Sequence, residues 1–183
     1  MRISVRLTGL LAGALLASGA ASGPLRVEAA PPELVVTSTG VDPLRQPDLQ
    51  VRARNGHWLG RERWPEHGVV HRSDRFGEVG DKRRYAARVV NAGFEGERYR
   101  LIGRAGGGGW SVRYWHDGRN LTRALVDGMR TPRLIPGQSW ALTVVVRRTA
   151  QATDGTERRV WVRARSIVDV TRHDRIAVEL RAR

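Results

Sequence analysis

The feature that most limits what this chain can become is an alternation of apolar and polar residues with a period of two, recurring from residue 48 almost to the C-terminus. Successive side chains of an extended strand point to opposite faces, so such alternation marks strands with one buried and one wet face. It predicts strands over residues 48–54 (Leu49, Val51 and Ala53 on one face), 84–91 (Tyr85, Ala87, Val89), 97–103 (Tyr99, Leu101) and 110–116 (Trp110, Val112, Tyr114). Three more follow over 139–148 (Trp140, Leu142, Val144, Val146), 157–170 (Val160, Val162, Ala164, Ser166, Val168) and 174–181 (Ile176, Val178, Leu180). Turn chemistry separates them: Asn91-Ala92-Gly93, Gly106 to Gly109, Asp117-Gly118, Pro136-Gly137 and Asp154-Gly155. Only residues 120–127 have a helical look, enough for a single turn.

Arginine fills the opposite face of many of these strands: Arg52, Arg54, Arg88, Arg98, Arg100, Arg113, Arg163 and Arg165. One apolar face and one solvated face per strand is the signature of two antiparallel sheets packed together. Seven strands at this spacing predict an all-β fold, a seven- to eight-stranded antiparallel β-sandwich of immunoglobulin type over residues 48–183.

Residues 1–29 read as a secretory signal peptide. Arg2 and Arg6 supply the positive start, Leu7 to Leu16 the apolar stretch, and Ala17 to Ser22 the small residues, with cleavage after Ala20 or after Ala29. The expected destination is the periplasm, the cell surface or the medium of a bacterium. Residues 30–47 are Pro-rich and unpatterned and read as a linker. Nothing after residue 30 is apolar for long enough to span a bilayer as a helix. The chain has no cysteine, which excludes disulfides and thiolate metal sites. Its formal net charge is +14, a balance that attracts polyanions. Lys82 is the only lysine. That leaves two sources for the charge: a functional basic surface, or a genome whose base composition favours arginine codons.

The run from Ala87 to Thr122 carries a resemblance. Val89-Val90-Asn91-Ala92-Gly93 closes one strand, Tyr99-Arg100-Leu101 marks the next, and Gly109-Trp110-Ser111-Val112-Arg113-Tyr114 the one after. Leu134-Ile135-Pro136-Gly137-Gln138-Ser139 then precedes a long strand, and Ala164-Arg165-Ser166 with His173-Asp174-Arg175-Ile176 forms a closing pair. In order and spacing these motifs resemble bacterial extracellular immunoglobulin-like domains of the CARDB and NEW-type group. The resemblance covers roughly residues 48–181 and implies a seven-strand sandwich that acts as a spacer, an adhesion module or a presenter of other domains. It implies no catalytic residues and no cofactor.

Other constellations point nowhere specific. The four glycines from Gly106 are followed by a strand pattern rather than a helix, so they read as a loop and not as a phosphate cradle. His67 and His71 stand four apart, but Pro65 and Gly68 rule out the helix that would aim both at one metal. No Gly-x-Ser-x-Gly elbow and no carboxylate pair in an apolar setting is present, so the chain is not expected to be an enzyme. The stretch from Asn55 to Asp81 reads as a long loop between the first two strands, rich in arginine and aromatic residues. Trp58, Arg61, Arg63 and Trp64 in it, with Trp115 and Trp161 on the outward phase of their strands, are candidate ligand-binding residues. Trp58 and Trp64 could equally cap one open end of the sandwich, and Trp115 and Trp161 could form a flat sugar-binding surface or be covered by this same segment. The expected function is a non-enzymatic exported module that makes structural or adhesive contacts with envelope proteins or extracellular components. The alternative is a binder of acidic polysaccharide or another polyanion. No specific nucleic-acid partner is expected.

Overall fold

The structure, a computed structural model, describes residues 45–53, 56–61 and 69–183. The expected signal peptide and most of the linker, together with Arg63, Trp64 and His67, lie outside the described residues. No described helix is long and apolar enough to cross a membrane.

The strands are β1 (Pro47–Ala53), β2 (Val69–Phe76), β3 (Lys82–Asn91), β4 (Tyr99–Gly103), β5 (Trp110–His116), β6 (Arg119–Asn120), β7 (Met129–Arg130), β8 (Ser139–Arg148), β9 (Glu157–Ser166) and β10 (His173–Ala182). One short helix, α1 (Thr122–Asp127), follows β6 and buries Leu125. The first sheet has the order β1-β3-β8-β5-β6 and the second β2-β10-β9-β4-β7. In immunoglobulin nomenclature these are A-B-E-D facing G-F-C, so the chain's own topology makes it an immunoglobulin-like β-sandwich.

Alternation explains the core. Leu49, Val51, Tyr85, Ala87, Val89, Leu142, Val144 and Val146 point inward from the first sheet, and Tyr99, Leu101, Val160, Val162, Ile176 and Leu180 from the second, all under 6% exposed. Burying each large aliphatic side chain is worth about 1.5–3 kcal/mol. Phe76 and Trp110 meet edge to face, with ring centroids 4.8 Å apart and planes at 76°.

Four local results depart from the reading of the sequence. The stretch from Asn55 to Asp81 is not one loop, because it contains β2. Nor are the sheets wholly antiparallel: β1 pairs in the first sheet, whereas β2 pairs in the second and runs parallel to β10. The strand expected over 157–170 stops at Ser166, whose Oγ accepts the amides of Val168 and Asp169 that a longer ladder would use. The domain also begins before residue 48: Gln46 and Pro47 are buried, and Arg45 is salt-bridged to Glu95 (2.7 Å) and Glu97 (3.2 Å).

Polar residues tie the strand ends. The Asn91 amide donates to the carbonyls of Glu95 (2.7 Å) and Leu134 (2.8 Å), and its Oδ1 accepts from the Tyr99 hydroxyl and the Gly93 amide. Arg148, 6% exposed, donates to the carbonyls of Ala152, Gly77 and Arg183 and to Asp154. The glycine run is a turn between β4 and β5. Gly109 has φ +82°, and a Cβ there would stand 2.4 Å from the Ala152 backbone, so only glycine fits.

Candidate binding surfaces

The inner faces are consumed by the core, so any ligand must meet the outer faces or the loop ends. On the second sheet, strand register decides what the outer face carries. Arg130 of β7 lies opposite Arg100 of β4, and Arg100 lies opposite Arg165 of β9. One pleat along, Ile102 lies opposite Arg163, and Arg163 opposite Arg175 of β10. Neighbouring strands are about 4.8 Å apart and same-face residues of one strand about 6.7 Å apart, so five guanidinium stems rise from a compact patch. Like charges directly opposite one another across strands destabilise a sheet.

Among the described residues none of these five arginines forms a salt bridge; Arg100 reaches only the Asp127 carbonyl, at 3.3 Å. The Nε atoms of Arg163 and Arg165 are buried and make no hydrogen bond. The acids of this face gather at its other end, where Glu179 pairs with Arg159 (2.7 Å) and Glu157 with Arg181 (3.5 Å). Trp161, half-buried, sits next to Arg163 on the outward phase of β9 and opposite Ala177. Arg158 lies on the other phase of β9 and donates to the carbonyls of Ala105 and Gly106, where burial and then the neighbouring Arg104 charge hold its guanidinium below its ordinary pKa.

The first sheet presents a different surface. Lys82 lies opposite Arg147, and Arg147 opposite Ser111; Arg84 lies opposite Val145, and Val145 opposite Arg113; Thr143 lies opposite Trp115. These residues line an open depression of about 930 Å³ whose described lining has four outward cations and no carboxylate. Toward the far edge of the same face, Arg88 donates to Gln50 (2.8 Å), which donates to Asp48 (2.6 Å). Here too stands Trp58, with the guanidiniums of Arg52 and Arg88 at 4.6 and 4.2 Å from its ring centroid.

The candidates from the sequence therefore do not converge. Trp58 is engaged by two arginines of its own fold, and Arg61 lies exposed in the turn that follows. Trp115 and Trp161 stand on opposite outer faces and cannot form one flat sugar-binding surface. The arginine patch uses Arg130 and Arg175, and the depression uses Lys82, Arg84 and Arg147, none of which was a binding candidate from the sequence. Their signal lies in cross-strand register, which alternation along one strand does not reveal. No three histidine, aspartate or glutamate side chains among the described residues converge on a point where a metal could sit.

No protein-family model matches the chain, and no curated protein is detectably similar to it. Solved structures show distant likeness in fold. A FixG-related protein from Vibrio parahaemolyticus is 9% identical with a TM-score of 0.43, over 78% of this chain and 99% of that one. The human CEP192 PapD-like domain 7 is 10% identical with a TM-score of 0.39, over 84% and 95%. The secreted serine protease VesC of Vibrio cholerae is 10% identical with a TM-score of 0.36, over 59% of this chain and 21% of the protease. Overlaps this loose carry no argument about role, so the fold assignment rests on this chain's own strand order and its function on its own outer faces.

Proposed function

We propose that this chain is an exported, non-enzymatic β-sandwich module that binds acidic polysaccharide through the arginine patch on β4, β7, β9 and β10. The observation that carries the reading is segregation: five arginines stand opposite one another across four strands with no carboxylate partner among the described residues, while the acids of the same face are paired at its other end. A genome rich in arginine codons accounts for how many arginines there are, not for why acids are absent between them. Guanidinium forks match carboxylate and sulfate oxygens two at a time, and the Trp161 ring beside them offers an apolar face to a sugar. Single-stranded nucleic acid fits less well, because its binders stack successive bases on several aromatic rings and this face has one. Export rests on the N-terminal sequence alone. Kinship with the CARDB and NEW-type domains is part of the same reading, supported by the motif residue Asn91, which ties the ends of β3 and β4 to the loop before β8.

A second reading has its own observation. Phe94, Ile135, Val168 and Val170 are 57–69% exposed on three loops at one end of the sandwich, joined by hydrogen bonds from Glu97 to Leu134 and from Ile167 to Arg98. Such an end would suit adhesion to an envelope protein.

The test is binding to immobilised polygalacturonate, with neutral dextran as control, at low salt and at about 0.15 M. At about 0.7 kcal/mol per exposed ion pair, the double variant Arg163→Gln/Arg165→Gln should bind about tenfold more weakly. Equal binding by variant and wild type, or none by either at the higher salt, overturns the reading. In the latter case the apolar end is the surface to pursue.

A further inference from the structure

The depression on the first sheet is not used by the proposed patch on the second, and the two are placed so that one molecule could hold two ligands. We infer that the chain is bivalent, with Lys82, Arg84, Arg113, Arg147 and Trp115 forming a second, independent site for an acidic polysaccharide, so that a single copy cross-links two polysaccharide chains. The inference rests on the proposed function for the chemistry of the ligand, and goes beyond it in the second site and in what two sites do together.

The geometry is that of the sandwich itself. The two sheets pack face to face about 10 Å apart, and their outer surfaces point in opposite directions. A polymer lying along one outer face runs away from the other, so a second occupant of the opposite face is another chain or a distant stretch of the same one. Each site is chemically complete on its own. In the depression, register brings Arg84 and Arg113 to either side of Val145, with Lys82 and Arg147 paired one pleat along. Among the described residues none of these four cations forms a salt bridge or a hydrogen bond to a carboxylate, and no described carboxylate lines the depression. Trp115, half-buried, stands beside Thr143, and Ser111 beside Arg147. That supplies what a uronic acid unit presents surfaces for: a ring face, two hydroxyls, and guanidiniums for the carboxylate. The other half of the face has its cations occupied, Arg88 by Gln50 and by Trp58, and Arg52 by Trp58. Among the described residues of this face, the free cations are thus confined to the concave part.

Bivalency separates from simple binding in a capture assay with the full chain. Polygalacturonate is fixed to a sensor, protein is bound at about 0.15 M salt, and fluorescein-labelled polygalacturonate is then flowed over it. Wild type is expected to bind the fixed polymer and capture labelled polymer. Arg84→Gln/Arg113→Gln removes the depression and Arg163→Gln/Arg165→Gln the patch. Each double variant should still bind the fixed polymer through its remaining site, the Arg163→Gln/Arg165→Gln protein about tenfold more weakly than wild type, and each should lose capture by about tenfold or more. The quadruple variant should neither bind nor capture. Retained thermal stability of all variants shows that the loss is local. Capture by Arg84→Gln/Arg113→Gln at the wild-type level overturns the second site, as does wild type that binds through the patch but captures nothing; both leave the proposed function standing. Wild type that fails to bind the fixed polymer overturns both.

Discussion

Asp174 offers a sharp test of how the two sheets are held together. It is the second residue of β10, is 2% exposed, and its Oδ2 accepts the Leu49 amide at 2.6 Å, joining the second sheet to β1 of the first. Its Oδ1 accepts the Arg175 amide, also at 2.6 Å. Burial raises its pKa; the two amides oppose this, and the nearby Asp48 adds to it, leaving a value of about 7 against an ordinary 3.8. A carboxyl with a raised folded pKa contributes stability that is fully present below its unfolded value and lost as pH rises through the folded one. The window is therefore between about pH 4 and about pH 7, and three units at 1.36 kcal/mol each bound the effect at about 4 kcal/mol. Asp174→Asn keeps an oxygen for the Leu49 amide and removes the titration. Urea unfolding of both proteins at several values from about pH 4.5 to about pH 8 gives the difference in stability at each, with His173 and Asp48 common to both. The difference should shift toward the variant by about 3 kcal/mol across that range. A difference constant to within about 0.5 kcal/mol would show that Asp174 is not held protonated by the fold, and the reasoning would fail.

Three further outcomes follow from the same structure. Arg100→Gln removes the middle of the opposed row Arg130–Arg100–Arg165, and in low salt without ligand it should raise stability by about 0.2–1 kcal/mol; a loss in thermal unfolding would mean the row is not repulsive. Arg148→Met leaves the carbonyls of Ala152, Gly77 and Arg183 without their donor and should cost about 2–4 kcal/mol in urea unfolding, whereas a cost below about 0.5 would contradict its role as a tie. Gly109→Ala drives a methyl into the Ala152 backbone at a positive φ and should lose at least about 2 kcal/mol, while the same change at Gly137, where nothing lies within 4 Å of a Cβ, should cost less.

The sequence was most readable where alternation was clean. Trp110, Val112 and Tyr114 delimit β5 to the residue, and Trp140 through Val146 do the same for β8. It failed at β2 because Asp74 occupies an inward position there and accepts the Tyr85 hydroxyl, so an acidic residue stands where the pattern calls for an apolar one. It overran β9 because Val168 stays in phase, although the Ser166 hydroxyl has already turned the chain. The outward phase of Trp115 and Trp161 was legible, but not that they belong to different sheets. Arg130 was invisible for a related reason: β7 is two residues long, too short for any period, and its place in the patch comes wholly from pairing with β4.

The most direct test of the central claim follows the arginine Nε–H signals by NMR while oligogalacturonate is titrated into the labelled protein at about 0.15 M salt. The account predicts saturable shifts of Arg100, Arg163, Arg165 and Arg175, whose side chains form the patch, with Arg159 and Arg181 moving little because Glu179 and Glu157 already hold them. Shifts spread evenly over all arginines, or confined to residues off the outer faces, would contradict it and leave the segregation of charge without a binding role.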